Sequence, residues 1–313
     1  MHTVLTDSPT EAAEFIKRGG IVAFPTETVY GLGAAAFNTP AIRKIFEAKK
    51  RPADNPLIAH VGVSDQINLL VSKISDSADK FIAAFFPGPL TLVLPKSESV
   101  PLIVTAGLES VGVRMPANET AKEFLKACGT PIVAPSANLS GRPSPTIWQA
   151  VLEDLDGRID CILKGGPTQI GLESTVVDCT SGVPHVLRLG SVSLEQLREV
   201  VPETRIYTPG EKEAPRSPGI KHKHYSPQAR VVLIENGRVP ADNGKSAFIG
   251  VHRPEQQFAL QKFCSSVDEY ARELFEFFRE CDRHNVDKIF CEQVEEKGIG
   301  AALMDRVRRA AAG

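Results

Sequence analysis

The sequence predicts an α/β protein in two parts, a larger mixed-sheet domain followed by a linker and a smaller α/β unit. Three observations carry this. Over roughly the first 200 residues, helix-period and strand-like stretches intermix without strict alternation, which argues for a mixed sheet rather than a purely parallel one. After Tyr207 the texture changes to "TPGEKEAPRSPGIKHKHYSPQA", rich in Pro, Gly and charge and almost without apolar periodicity, which is a linker by composition. From Arg230 a second set of strands and helices resumes, about 84 residues long, small but adequate for a domain.

The elements follow in order. "SPTEAAEFIKRGG" opens a helix with Ser8 as N-cap, Pro9 at the first helical position and Glu11 completing a capping box, and Gly19 and Gly20 end it. "IVAFPT" is a buried strand. "TPAIRKIFEAKKR" is a second helix, capped by Thr39 with Pro40 after it, and a proline stops it before the strand "PLIAHV". "SADKFIAAFF" is a helix, and "PLTLVLP", "VGVRMP" and "PIVAPS" are strands, with the helix "ETAKEFLKACG" between the last two. The helix "TIWQAVLEDLDGR", the strands "CILKGG", "STVVDC" and "HVLRLG", and the helix "SLEQLREVV" complete the block. Beyond the linker, strands "RVVLIE", "SAFIGV" and "DKIFCE" surround the long helix "SVDEYARELFEFFRECDRH", and "GIGAALMDRVRRAAA" is the last helix.

Bulk properties narrow the function. The chain has 313 residues, enough for two domains and a proper core. A net charge of −2 excludes a globally cationic nucleic-acid binder, so anion binding must come from local clustering. The six cysteines form no C-x-x-C pair and read as buried, reduced thiols. The N-terminal "MHTVLTDSPTEAAEF" lacks an apolar signal core and no apolar run approaches a membrane span, so the reading is cytoplasmic.

Several motifs fail on context. "GLGAAA" (Gly31, Gly33, Ala36) fits G-x-G-x-x-A, but "FNTP" follows where a dinucleotide fingerprint needs a helix, and tight-turn glycines explain it better. No P-loop and no G-x-S-x-G elbow occur. His222 and His224 in "HKH" have no nearby carboxylate or thiol and read as exposed loop residues rather than a metal site.

What remains is a set of polar groups at strand ends, where ligands gather in α/β proteins. Thr26, Glu27, Thr28 and Tyr30 follow "VAFP". Lys49, Arg51 and Asn55 precede "PLIAH", which ends on His60. Arg114 lies in "VGVRMP", Ser136 and Asn138 in "APSANLSG", Ser174 and Thr175 in "ESTVVD", and Arg188 in "VLRLG". A basic residue in an apolar strand is costly unless paired. Singly, Arg114 and Arg188 fit internal salt bridges to a carboxylate such as Glu27 or Glu173. Together, four or more cations beside Ser, Asn and Thr groups favour a polyanion pocket, since ammonium and guanidinium groups both suit phosphate.

In order, "PTETVYGLG", "KKRP-x-x-NPL-x-x-H", "PGPLTLVL", "VGVRMP", "APSANLSGRPSPT", "ESTVVD" and "LRLG" resemble the threonylcarbamoyl-AMP synthase family with its YrdC-type domain. "SPGIKHKHYSP" and the C-terminal unit resemble the longer, two-domain branch. The resemblance implies a YrdC-type catalytic domain over 1–206, with a twisted mixed sheet and helices around a concave pocket, a linker or lid over 207–229, and a smaller Rossmann-like α/β domain over 230–313. It also implies a nucleotidyltransferase reaction. L-threonine, bicarbonate and ATP give threonylcarbamoyl-adenylate and pyrophosphate, the first stage in making threonylcarbamoyladenosine at tRNA position 37. The family's Lys-x-Arg and Ser-x-Asn tetrad falls on Lys49, Arg51, Ser136 and Asn138. Its nucleotide contacts also fall on Asn55, Ser110, Ser144, Arg188 and Tyr225, and its threonine contacts on Thr28, His60, Arg114, Ala134 and Ser174.

Physical reasoning runs the same way. Two anionic reactants must meet, so cations must offset their repulsion and the charge growing on leaving pyrophosphate. Lys49, Arg51 and Arg188 are the candidates, with Lys50 only solvated. Mg²⁺ is expected on the ATP phosphates with few or no protein ligands, because no Asp/Glu cluster reads as a cage. The linker suits a lid that shields a labile adenylate from water. Separate transferase proteins are the expected recipients of the adenylate. Two rivals stand beside this reading. A non-catalytic RNA-binding module would show steep salt dependence, although stacking aromatics are few. A carbamoyl-transfer role as in hydrogenase-maturation proteins would call for zinc-binding cysteine pairs and further domains, which the chain lacks.

Overall fold

The computed structural model describes residues 2–208, 226–235 and 244–312. The chain runs β1 (Val4–Thr6), α1 (Pro9–Lys17), β2 (Val22–Phe24), β3 (Gly31–Ala35), α2 (Thr39–Lys49) and β4 (Ile58–His60). It continues through α3 (Ile67–Leu70), α4 (Asp76–Phe85), β5 (Leu90–Pro95), α5 (Leu102–Thr105), β6 (Ser110–Arg114), α6 (Glu119–Cys128) and β7 (Ile132–Ala134). Next come α7 (Trp148–Leu155), β8 (Cys161–Leu163), β9 (Thr175–Asp178), β10 (His185–Arg188), α8 (Leu194–Val200) and β11 (Arg205–Ile206). Among the described residues these strands form one eleven-stranded sheet, ordered β1-β8-β2-β3-β7-β4-β6-β5-β9-β10-β11. It is mixed, as expected: β4 and β6 run parallel, while β7 pairs antiparallel with both β3 and β4.

The smaller unit holds β12 (Arg230–Ile234), β13 (Ser246–Gly250), β14 (Leu260–Phe263), α9 (Val267–Arg283), β15 (Lys288–Glu292) and α10 (Ile299–Ala311). Its four strands are all parallel in the order β12-β15-β13-β14. β14 escaped the sequence reading because it is a half-exposed edge strand without a buried face.

Local chemistry corrects three expectations. The capping box at Ser8 is half formed: the Ser8 hydroxyl accepts from the Glu11 N–H, but the Ser8 N–H donates to Thr6 and the Glu11 carboxylate takes the Thr6 hydroxyl. The cap of α2 is Asn38, whose Oδ1 accepts from the Ala41 N–H at 3.1 Å, with Thr39 already helical. Gly31 and Gly33 are strand residues, not turn residues. A Cβ on Gly33 would sit 2.6 Å from Ile132 Cγ2 on β7, so the glycine permits close packing and no helix opens after it.

Three cores result. One side of the large sheet buries Leu32, Ile45, Phe81, Leu92 and Val133, the other Ile16, Phe24, Phe124 and Leu163. The third core packs Leu274, Phe275 and Phe278 of α9 against Ile289, Leu303 and Met304, and it includes Val29 and Leu172 from the first domain. Gly171 (φ +83°) lets α9 approach closely, because a Cβ there would meet Arg272 Cα at 2.4 Å. All six cysteines are buried and unbridged.

Candidate active site

The turn after α2 shapes one wall. Lys50 adopts a left-handed conformation (φ 50°) and closes the helix before Pro52, which sends Lys49 inward and leaves Lys50 exposed. The Lys49 ammonium is buried. It donates to the Ser136 carbonyl at 2.6 Å and to the Asn138 carbonyl, and it lies 3.5 Å from Asn138 Oδ1. Burial, then repulsion from Arg51, pushes its pKa well below the ordinary lysine value. Lys49 thus pins the loop after β7, where the Ser136 hydroxyl donates to Asn138 Oδ1 at 2.6 Å.

That loop borders a hollow with about 700 Å³ of atom-free space, its open mouth included. Ten of the residues to which the resemblance gives substrate contacts meet there: Thr28, Arg51, His60, Arg114, Ala134, Ser136, Asn138, Ser144, Ser174 and Arg188. Thr26, Tyr30, Arg142 and Glu173 share the lining. Lys49 and Asn55 lie behind the wall, both buried. Ser110 starts β6, four residues or about 13 Å along the strand from Arg114, and does not line the hollow. Tyr225, His222 and His224 lie outside the described residues.

One end of the hollow is built on Arg114. Its guanidinium donates to Glu27 at 2.7 Å, to the Thr28 hydroxyl at 2.8 Å and to the Gly88 carbonyl at 3.2 Å. The Thr26 hydroxyl spends its proton on the Val29 carbonyl, so Thr28 must donate in the 2.8 Å contact between the two threonines. Burial opposes the Glu27 charge, but Arg114 outweighs it and holds the carboxyl below its usual range. The internal salt bridge and the pocket-lining position, weighed as alternatives from sequence, are both true of Arg114.

The lining also carries Arg51, Arg142 and Arg188. Arg188 donates twice to the Ser174 carbonyl (2.9 and 3.1 Å) and once to its hydroxyl (3.1 Å). The Ser144 hydroxyl donates to Glu173 at 2.6 Å.

A family model described as telomere recombination matches residues 14–190, and one described as threonylcarbamoyl-AMP synthase, C-terminal domain, matches residues 192–312. A Pyrococcus abyssi protein named threonylcarbamoyl-AMP synthase is 46% identical over 317 residues, covering 96% of this chain and 92% of the relative. The chain belongs to the threonylcarbamoyl-AMP synthase family. The Bacillus subtilis protein of that name is 40% identical over 320 residues, covering 97% and 92% of the two chains. The crystal structure of P. abyssi Sua5 complexed with L-threonine aligns with a TM-score of 0.90 at 43% identity, covering 99% of this chain and 97% of the other.

In this family member His60 is a neutral polar contact. Its Nδ1 lies 3.2 Å from the Ile58 carbonyl and so carries the proton, and its ring packs edge-on against Phe24. Burial, then Arg114, pushes its pKa from 6.5 down to about 3. The unfolded chain therefore binds one more proton than the folded chain between these values. His60 stabilises the fold fully above about pH 6.5, and that stability is lost at about 1.4 kcal/mol per pH unit as pH falls. Urea melts between pH 6 and pH 5 should show a slope shallower by about that amount in His60→Gln. Equal slopes would contradict the neutral assignment.

The sequence reading missed Arg142, Asp154, Arg279 and Arg306. Asp154 of α7 is fully buried. It accepts from the Leu139 N–H (3.1 Å), from Arg142, and from both terminal nitrogens of Arg279 (3.2 and 2.9 Å). The available signal was position. Arg279 follows Phe275 by four residues and Arg306 follows Leu303 by three, so both sit on the apolar stripes of their helices.

Proposed function

We propose that the chain condenses L-threonine, bicarbonate and ATP into threonylcarbamoyl-AMP, with loss of water as the amine and bicarbonate form the carbamate and of pyrophosphate as the carbamate is adenylated, supplying the first stage of threonylcarbamoyladenosine formation in tRNA. The observation that supports this reading is the make-up of the hollow's lining, in which both sets of groups meet. Arg114, Thr28, His60, Ala134 and Ser174 would form an end suited to an amino acid, while Arg51, Arg188, Ser136, Asn138 and Ser144 would form a cationic, hydroxyl-rich end suited to a triphosphate.

The threonine carboxylate would pair with Arg114, displacing some of its present contacts. The carbamate oxygen attacks the α-phosphorus, one O–P bond forms, and the bond from the α-phosphorus to the bridging oxygen breaks as pyrophosphate leaves with its electron pair. Arg51 and Arg188 offset the repulsion between the anions and the charge on the leaving group. Catalysis is positioning and electrostatics without a covalent enzyme intermediate, since Glu173, the carboxylate that meets the Ser144 hydroxyl, is held charged by Arg306 and is a weak base.

Among the described residues no group of three or more His, Cys, Asp or Glu could hold a metal ion, and Glu27 and Glu173 already face arginines. This fits Mg²⁺ arriving on the ATP phosphates as part of the substrate, where it would neutralise charge. No helix of the described residues is long and apolar enough to cross a membrane. A cytoplasmic enzyme that passes its product to separate transferase proteins completes the proposal; the expected lid over 207–229 falls largely outside the described residues.

The test is pyrophosphate release from Mg²⁺–ATP with threonine and bicarbonate omitted in turn. Release should require both, and mass spectrometry should show the adenylate. ATP left unconsumed in every combination would overturn the reading, and RNA affinity at varied salt would then be the next measurement.

A further inference from the structure

We infer that Arg306, in the C-terminal domain, is a positioning residue for the nucleotide end of the hollow, acting through Glu173 on Ser144 and through the Leu189 carbonyl on Arg188. The inference rests on the assignment of that end to ATP.

Glu173 poses a problem for an anion site, because it lines the hollow beside Ser174 and a bare carboxylate there would repel phosphate. Arg306 resolves it. Its guanidinium is fully buried and comes from α10. Nε donates to Glu173 Oε2 at 3.0 Å, and Nη2 donates to the Leu189 carbonyl at 2.9 Å. With Oε2 held, Oε1 is left to accept the Ser144 hydroxyl at 2.6 Å and fix its rotamer. The clamp on Leu189 fixes the backbone one residue beyond Arg188, whose guanidinium grips Ser174. One side chain of the second domain thereby neutralises the unfavourable charge and orders two proposed nucleotide contacts. Burial opposes the Glu173 charge, yet Arg306 and then Arg188 keep the carboxyl below its usual range.

The threonine end touches this network only at Ser174, which Arg188 holds, and its main anchor does not depend on Arg306. Arg114 and its partners Glu27, Thr28 and Gly88 all belong to the first domain. Loss of Arg306 is therefore asymmetric, a split that general destabilisation does not produce.

The experiment is calorimetric titration of the full chain with a non-hydrolysable ATP analogue plus Mg²⁺, and separately with L-threonine. In Arg306→Met the analogue Kd should rise about tenfold or more while the threonine Kd stays within about threefold. Arg306→Lys keeps the charge but cannot span Glu173, Asp305 and the Leu189 carbonyl together, so it should recover part of the loss. Arg308→Ala, on the same helix but paired at the surface with Glu296, should bind both ligands as the unmodified chain does. If Arg306→Met does not fold, Arg306→Lys decides. Analogue affinity equal to that of the unmodified chain in whichever variant decides, or equal losses for both ligands, overturns the inference alone. No analogue binding to the unmodified chain overturns the reading of the hollow, and this inference with it.

Discussion

Lys49→Met lowers the rate of threonylcarbamoyl-AMP formation by about a thousandfold or more, the largest single-residue effect expected in this enzyme. Two losses combine. The ammonium donates to the carbonyls of Ser136 and Asn138 in a buried site, and methionine leaves both acceptors unpaired at about 1–3 kcal/mol each. The loop then relaxes, and a displacement of about 1 Å in Ser136 and Asn138 costs on the order of a hundredfold in rate. Removing a cation behind the phosphate end adds further loss, since an incoming triphosphate would restore the charge that burial now disfavours on Lys49. Lys49→Arg does not rescue, because a larger planar head must replace a buried ammonium held between the Ser136 and Asn138 carbonyls. Steady-state pyrophosphate release measures the effect, and a variant retaining more than about a tenth of the wild-type rate would remove Lys49 from this role.

How far the sequence reached depends on the kind of signal. Helices were legible because caps and stripes are local, as at Pro9–Lys17 and Glu119–Cys128. The three-residue β1 and the glycine strand β3 were not, because their identity comes from pairing with β8, β2 and β7 rather than from their own composition. In the site, residue types at strand ends located most of the lining, and the family resemblance supplied the roles proposed for them. Neither could show that Lys49 lies behind the wall, since a helix end looks the same whether its last lysine turns in or out. The helix stripes containing Arg279 and Arg306 did carry a signal, a cation at an apolar position, but its partners lie more than a hundred residues away on another domain.

Those partners reveal a common arrangement. Glu27 with Arg114 and Glu173 with Arg306 are buried carboxylate–guanidinium pairs beside the hollow. Such pairs contribute little net stability, because desolvation offsets attraction. They do hold charge in place before the substrates arrive, which is what electrostatic catalysis needs. The first pair lies within the large-sheet unit and the second joins it to α10, so half of the preorganised charge depends on how the C-terminal unit docks.

Arg279→Met tests the strength of that docking. Arg279 and Asp154 are both essentially excluded from solvent, at 1% and 0% side-chain exposure, and pair across the domain boundary at 2.9 Å. The guanidinium also donates to the Pro143 carbonyl at 2.6 Å. Methionine fills the volume but strands a carboxylate that Arg142 and the Leu139 N–H compensate only in part. Breaking a buried pair from one side costs about 3–5 kcal/mol, so the chain should melt roughly 10 °C lower. Arg279→Met combined with Asp154→Leu should recover part of the loss, with a coupling energy of about 2 kcal/mol in a double-mutant cycle. Recovery stays incomplete because Asp154 also tethers Leu139, next to Asn138, and Arg142, in the hollow. The double variant should therefore regain stability without regaining turnover, which separates what Asp154 does for the domain boundary from what it does for the site. A cost below about 1 kcal/mol for Arg279→Met would instead place the docking energy in the apolar contacts of Val29 and Leu172 with the C-terminal core.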